Sequence, residues 1–222
     1  SLLERNIGKI GIVLPTFEEY PNRYSKADII AFVPDNKDCA YNSSDLIKFY
    51  DNKSIKTLLL INPDNPSGNF IPKKKVLELA EWTKNKGIKF IVDESFVDFS
   101  DDFRNNSLLD NATLSTYNNL FVMKSISKSY GVPGLRLGIL ASSDTQTIDY
   151  IKKDVSIWNI NSFAEFYMQI FNKYSSAYDA ACECFIAERT RFAKRLEEIN
   201  WLRVIPSQAN YFLCEVKTPH TS

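Results

Sequence analysis

The chain has 222 residues, 44% hydrophobic and 13% aromatic, with 27 Lys+Arg balanced by 27 Asp+Glu. That length holds one large domain, or one domain and the start of another, with ample apolar material for a core. Zero net charge gives no footprint for nucleic acid or an anionic membrane; no apolar run approaches the roughly 20 residues that span a bilayer; and no signal-peptide pattern opens the chain, so it reads as cytoplasmic. In chain order, short apolar runs at 10–14, 29–33 and 57–61 read as strands. The run Leu58-Leu59-Leu60-Ile61 is apolar at every position, as a strand covered on both faces should be. A helix follows, with Pro72 in its first turn, Val76, Leu79 and Ala80 on one face and Gly87 as its stop. Further strands are expected at 89–92, 120–123 and 137–140. A helix over 162–174 and a longer one over 176–199 come next, the latter with a solvated face of Glu188, Arg191, Lys194, Arg195 and Glu198. Two short strands near 201–205 and 210–216 close the series.

This alternation is the rhythm of an α/β fold, a mostly parallel sheet flanked by helices. The boundaries expected are a large domain over 1–175 and, over 176–222, the beginning of a smaller α+β C-terminal domain. The scarce residues narrow the chemistry. The single histidine, His220, stands almost at the end, which argues against a Ser-His-Asp triad or a multi-histidine metal site, and no metal is expected. Cys39, Cys182, Cys184 and Cys214 have no zinc-like spacing and read as four buried, reduced thiols. Any catalysis would come from Lys, Asp, Arg or a bound cofactor.

In an open α/β sheet, ligands bind beyond the carboxyl ends of the strands. The third strand is followed by Asn62-Pro63-Asp64-Asn65-Pro66-Ser67-Gly68, the fourth by Asp93-Glu94-Ser95-Phe96, and the fifth by Lys124-Ser125-Ile126-Ser127-Lys128-Ser129-Tyr130-Gly131. An amide, a carboxylate and a hydroxyl–lysine loop thus project from one edge. Arg136 precedes its strand and reaches that edge only if the strand runs antiparallel, which the short connection before it permits. Singly, each has an ordinary structural role: a solvated lysine, a capping aspartate, a surface arginine. Together they form the set pyridoxal phosphate requires, with an amine for the Schiff base, a carboxylate for the pyridine nitrogen, a donor to the phenolate oxygen, and hydroxyl and guanidinium groups for the phosphate.

The segments NPDNPSG, VDESF and SISKSYGVPGLRLG resemble the three signatures of the class I/II pyridoxal-phosphate aminotransferases of fold type I, and their spacings agree, with 28 residues from Asn65 to Asp93 and 8 from Lys128 to Arg136. Trp158-Asn159-Ile160-Asn161 and the late Pro206-Ser207-Gln208-Ala209-Asn210-Tyr211-Phe212 are similar to the branch of histidinol-phosphate aminotransferase and threonine-phosphate decarboxylase. The resemblance implies that Lys128 forms the Schiff base and shuttles the substrate's α-proton. It places Asp93 on the pyridinium nitrogen, Asn65 on the phenolate oxygen, Ser125 and Arg136 on the phosphate, and Phe17 on the cofactor ring. Asn65, Asn161 and Asn210 are candidates for substrate contact. The implied activity is an aminotransferase taking an amino acid or amino-phosphate compound with a keto acid, as a homodimer. A decarboxylase of a phosphorylated amino acid uses the same cofactor, and a non-catalytic binding version of the fold is the third reading. Two departures stand out. Phe96 occupies a position where many relatives carry a tyrosine that also bonds the phenolate oxygen. The family's glycine-rich phosphate segment and its substrate-carboxylate arginine fall outside the sequence, so the chain reads as a fragment or as a protein that has lost those parts.

Overall fold

The strands assemble in the order β2-β1-β3-β4-β5-β6, in a computed structural model that describes residues 8–217. They are β1 (Ile10–Val13), β2 (Ile29–Phe32), β3 (Thr57–Ile61), β4 (Lys89–Asp93), β5 (Leu120–Ser125) and β6 (Gly138–Ala141). The first five run parallel, and β6 is antiparallel to β5, with Ser125 opposite Gly138. The chain leaves β1 toward β2 on one side and returns to place β3 on the other. That reversal opens a crevice at the carboxyl ends of β1 and β3.

Every residue of β3 is buried, and its alternation divides the core in two. Leu58 and Leu60 pack with Leu46, Leu79 and Phe90 on one face, while Leu59 and Ile61 pack with Ile12, Ile91 and Phe121 on the other. Helices α1 (Ser43–Tyr50) and α2 (Lys73–Asn85) cover the first face, burying Leu46, Tyr50, Val76, Leu79 and Ala80. Asn42 and Asp45 form a reciprocal capping box at the start of α1. Pro72 is the N-cap of α2, one position before the first turn assigned to it, and Gly87 ends the helix in the left-handed region at φ +64°.

Short helices α3 (Phe103–Asn106), α4 (Asn111–Thr116) and α5 (Ile126–Ser129) follow β4 and β5, and α6 (Thr145–Lys152) follows β6. Then come α7 (Ser162–Phe171) and α8 (Ser175–Glu197), the latter leading into a separate antiparallel pair, β7 (Leu202–Val204) and β8 (Cys214–Val216). No helix among the described residues is long and apolar enough to cross a membrane. His220 lies outside the described residues.

Two expectations need correction. The four cysteines are free, but only Cys182 is buried; Cys39 and Cys214 are half-buried and Cys184 is exposed. Cys182 and Cys184 stand two apart on α8, on opposite sides of the helix, so packing one inward turns the other to solvent. The segment carrying Lys128 is a helical turn, α5, instead of a loop.

Candidate active site

Asp93 is the last residue of β4, and three donors converge on its carboxylate. Oδ1 accepts the backbone N–H of Ser95 at 2.9 Å and the Ser95 hydroxyl at 2.5 Å, while Oδ2 accepts the hydroxyl of Tyr20. Tyr20 comes from the segment after β1, across the crevice. Burial, then the charge of Asp93, push its phenol far above the ordinary tyrosine range, which keeps it a proton donor. Ser95 Oγ in turn accepts the backbone N–H of Ser125, at the end of β5, at 2.9 Å. Tyr20, Asp93, Ser95, Ser125 and Arg136 line one cavity of about 450 Å³.

Arg136 enters this cavity because β6 runs antiparallel, so the residue before the strand falls beside the end of β5. It stands in the left-handed region at φ 55°, turning the chain from Pro133–Leu135 into β6. Its Nη1 donates to the carbonyl oxygen of Pro133 at 3.3 Å, and no carboxylate among the described residues pairs with it.

Lys128 lies on α5 with its ammonium 4.0 Å from the ring centre of Phe96 and 5.8 Å from that of Phe17. Burial lowers the affinity of this amine for its proton, and the charge of Asp93 opposes the shift. Phe17 packs edge-on against Tyr20, with ring centres 6.0 Å apart. Phe96 packs edge-on against Tyr211, whose hydroxyl donates to the carbonyl oxygen of Asp64 at 2.7 Å, one residue before Asn65. Lys128, Asp93 and Asn65 are thus linked through successive aromatic contacts, although Asn65, Phe17 and Lys128 do not line the Asp93 cavity itself.

The remaining candidates sit differently. Asn161 caps α7, accepting the N–H of Ala164 at 2.9 Å, and donates to the carbonyl oxygen of Leu135 at 3.2 Å. Its amide is occupied in holding the turn that carries Arg136. Asn210 lines a separate cavity of about 300 Å³ with Phe185, Arg189 and Phe212, against α8. The structure therefore brings Asp93, Ser125 and Arg136 into one cavity, sets Lys128 and Phe17 beside it, and leaves Asn210 outside.

Three features of the site are absent from the sequence reading: Tyr20, the Ser95 hydroxyl, and a buried pair in which Lys124 Nζ meets Asp98 Oδ1 at 2.7 Å. Tyr178 donates to the other oxygen of Asp98 at 2.8 Å. Position alone offered a signal, since Tyr20 follows a strand on the ligand side, Ser95 lies inside a motif and Lys124 directly precedes one.

Comparison with known proteins shows what this chain is similar to. L-Serine phosphate decarboxylase of Sulfurospirillum multivorans is 30% identical over 220 residues, covering 97% of this chain and 56% of the relative. The chain thus spans little more than half that relative's length. The solved structure of a decarboxylase from the same organism superposes with a TM-score of 0.87 at 28% identity, over 98% of this chain and 62% of that one. The histidinol-phosphate aminotransferase structure from Clostridium acetobutylicum gives 0.82 at 26% identity, over 97% and 64%. The family described as aminotransferase class I and II matches residues 8–222. That match runs through every described residue, and the chain belongs to this family.

Proposed function

We propose that this chain binds pyridoxal phosphate and carries the reactive lysine of an enzyme acting on an amino acid or amino-phosphate compound, as an aminotransferase. The observation that supports this reading is the contrast between Lys124 on β5 and Lys128 on α5. Lys124 is buried and paired with Asp98, whereas Lys128 faces aromatic rings and has no ion-pair partner among the described residues. An amine that must react cannot be locked to a carboxylate, and a depressed proton affinity keeps more of it neutral. The donor set fits the cofactor. Asp93 would hold the pyridine nitrogen, Ser125 and Arg136 the phosphate, Phe17 a ring face and Asn65 the phenolate oxygen. Asp93 and Arg136 already share a cavity, and no carboxylate among the described residues pairs with the Arg136 guanidinium. Bound there, pyridoxal phosphate supplies an electron sink for the charge left when a bond at the substrate's Cα breaks. Lys128 Nζ accepts and returns the Cα proton, while Tyr20 and Ser95 hold the Asp93 carboxylate in place. Phe96 contributes a ring under the Lys128 ammonium instead of a second hydroxyl.

A second reading, decarboxylation of a phosphorylated amino acid, is supported by the likeness to the S. multivorans enzyme. Residues 1–175 would form the cofactor-binding part and residue 176 would begin the smaller one. Homodimer assembly is supported by an exposed apolar run, in which Ile157 is 92%, Trp158 91% and Phe163 80% accessible.

Borohydride reduction of the full-length protein incubated with pyridoxal phosphate should place a pyridoxyl label on Lys128. A label on Lys124, or a protein that stays colourless with added cofactor, would overturn the assignment. Assays with plain and phosphorylated amino acids then separate keto acid from carbon dioxide as product.

A further inference from the structure

Ser95 is a buried hydroxyl, 3% exposed, placed between two ends of the site. The parallel ladder between β4 and β5 ends where the Glu94 N–H donates to the Met123 carbonyl oxygen at 2.9 Å. One step further on, the Ser95 side chain takes over the pairing. Its Oγ gives its single proton to Asp93 Oδ1 and accepts the Ser125 N–H. The hydroxyl thus donates to one strand and accepts from the other. A hydrogen bond donated to a carboxylate polarises the hydroxyl and strengthens what its oxygen accepts, so the two contacts reinforce each other.

We infer that Ser95 is a positioning residue coupling the two subsites of the cofactor, the carboxylate for the ring nitrogen and the Ser125 turn for the phosphate. The inference rests on the pyridoxal phosphate reading above. Asp93 keeps two other donors when the hydroxyl is removed, the Ser95 N–H and Tyr20. Among the described residues, the Ser125 amide makes no other hydrogen bond outside the strand pairing. Its strand end is then free to drift relative to Asp93, and a bound group held at both ends tolerates about 0.5 Å of misplacement. Ser95 therefore acts on how the cofactor sits, through groups that touch it.

The test compares full-length wild type, Ser95→Ala and Ser95→Thr, the last restoring a hydroxyl. Ser95→Cys, close to serine in size and a poor hydrogen-bonding group, replaces alanine if that variant does not fold. The measurements are the Kd for pyridoxal phosphate by absorbance titration, the visible circular dichroism per bound cofactor, and hydrogen exchange of the Ser125 amide without cofactor. Loss of one hydrogen bond to a charged group should weaken binding about tenfold and speed exchange of that amide by a similar factor. The dichroism per bound cofactor should change too, because the ring is held differently, and threonine should restore all three. A Ser95 that only supported folding would leave the dichroism per bound cofactor unchanged, and that result overturns the inference. So does an alanine protein with wild-type Kd, or a threonine variant that behaves like alanine. Failure of wild type to take up cofactor would overturn the pyridoxal phosphate reading and the positioning role together. The exchange rates would still report the Ser95–Ser125 link separately.

Discussion

Asp64 and Arg136 each hold a side chain or backbone in a state that costs free energy. Asp64 is buried beside Asn65, accepting Ser67 Oγ at 2.5 Å and the Tyr41 hydroxyl at 3.3 Å. Burial outweighs these hydrogen bonds and raises its carboxyl from 3.8 to about 6. The folded chain therefore keeps this proton over a range where the unfolded chain has released it. The resulting stabilisation is complete below the unfolded value and is lost as pH rises through about 6. Asp64→Asn should be more stable than wild type at pH values above that, by up to about 3 kcal/mol, and should lose the pH dependence on the acid side; urea unfolding across a pH series reads both. Arg136 occupies left-handed backbone, which strains any residue with a Cβ. Arg136→Gly should hold stability within about 1 kcal/mol of wild type, since relieved strain offsets the added freedom of the unfolded chain. Its affinity for pyridoxal phosphate should fall at least tenfold with the loss of a charged phosphate contact. Equal losses in melting temperature and affinity would show that the arginine serves the fold alone.

At the scale of elements, α8 is held against the segment that follows β4. Lys124 on β5 pairs with Asp98, and Tyr178 on α8 reaches the same carboxylate. Farther along α8, the buried Arg189 donates to the Phe99 carbonyl oxygen and pairs with Asp101 at 2.6 Å. Gln208 bonds the N–H of Asp101 at 2.7 Å and gives its own N–H to the Gly68 carbonyl oxygen at 2.9 Å. Strands β3 and β4 are thereby tied at their carboxyl ends to the segment after β7. Gly68 itself, at φ +75°, leaves no room for a Cβ, which would fall 2.1 Å from Ser207 Oγ. Removing one partner of a buried pair leaves a charge without compensation, so Lys124→Met should destabilise by about 3–5 kcal/mol. Adding Asp98→Asn, which removes that charge yet still accepts from Tyr178, should recover at least half of the loss. Denaturant midpoints of the single and double variants check this. A double variant no better than the single would place the cost in packing.

For the whole molecule, the apolar side chains left outside are concentrated between residues 155 and 174, with Trp158 91% accessible. A cluster of this kind exceeds the scattered exposure of an ordinary surface and is suited to burial against a second copy. Sedimentation of the full-length protein at micromolar concentration should show a dimer, and Trp158→Glu should shift it toward monomer without lowering the melting temperature of the monomer. A monomeric wild type with full activity would refute dimer assembly. The neutral net charge, 27 basic against 27 acidic residues, opposes neither outcome by long-range repulsion.

The strand pattern was legible in the chain because it is local. Runs such as Leu58 to Ile61 signal their own burial, and the polar segments after them fall at the carboxyl edge by parallel pairing alone. The antiparallel β6, and with it the place of Arg136, was permitted by the connection before it and decided by the pairing of Ser125 with Gly138. The shorter helices escaped: α1 and α6 have 8 residues each, too few turns for periodicity to stand out. What Asp93 touches was decided elsewhere. Tyr20 lies 73 positions away, and only the reversal of strand order at β1 and β3 sets it across from that carboxylate. Asn161 and Asn210 resembled site residues by motif, yet capping geometry occupies the first and the packing of α8 carries the second to another cavity. Sequence determines which groups reach the edge of the sheet, through periodicity and turn chemistry; tertiary packing decides which of them meet, because those contacts join elements whose separation along the chain carries no local signal.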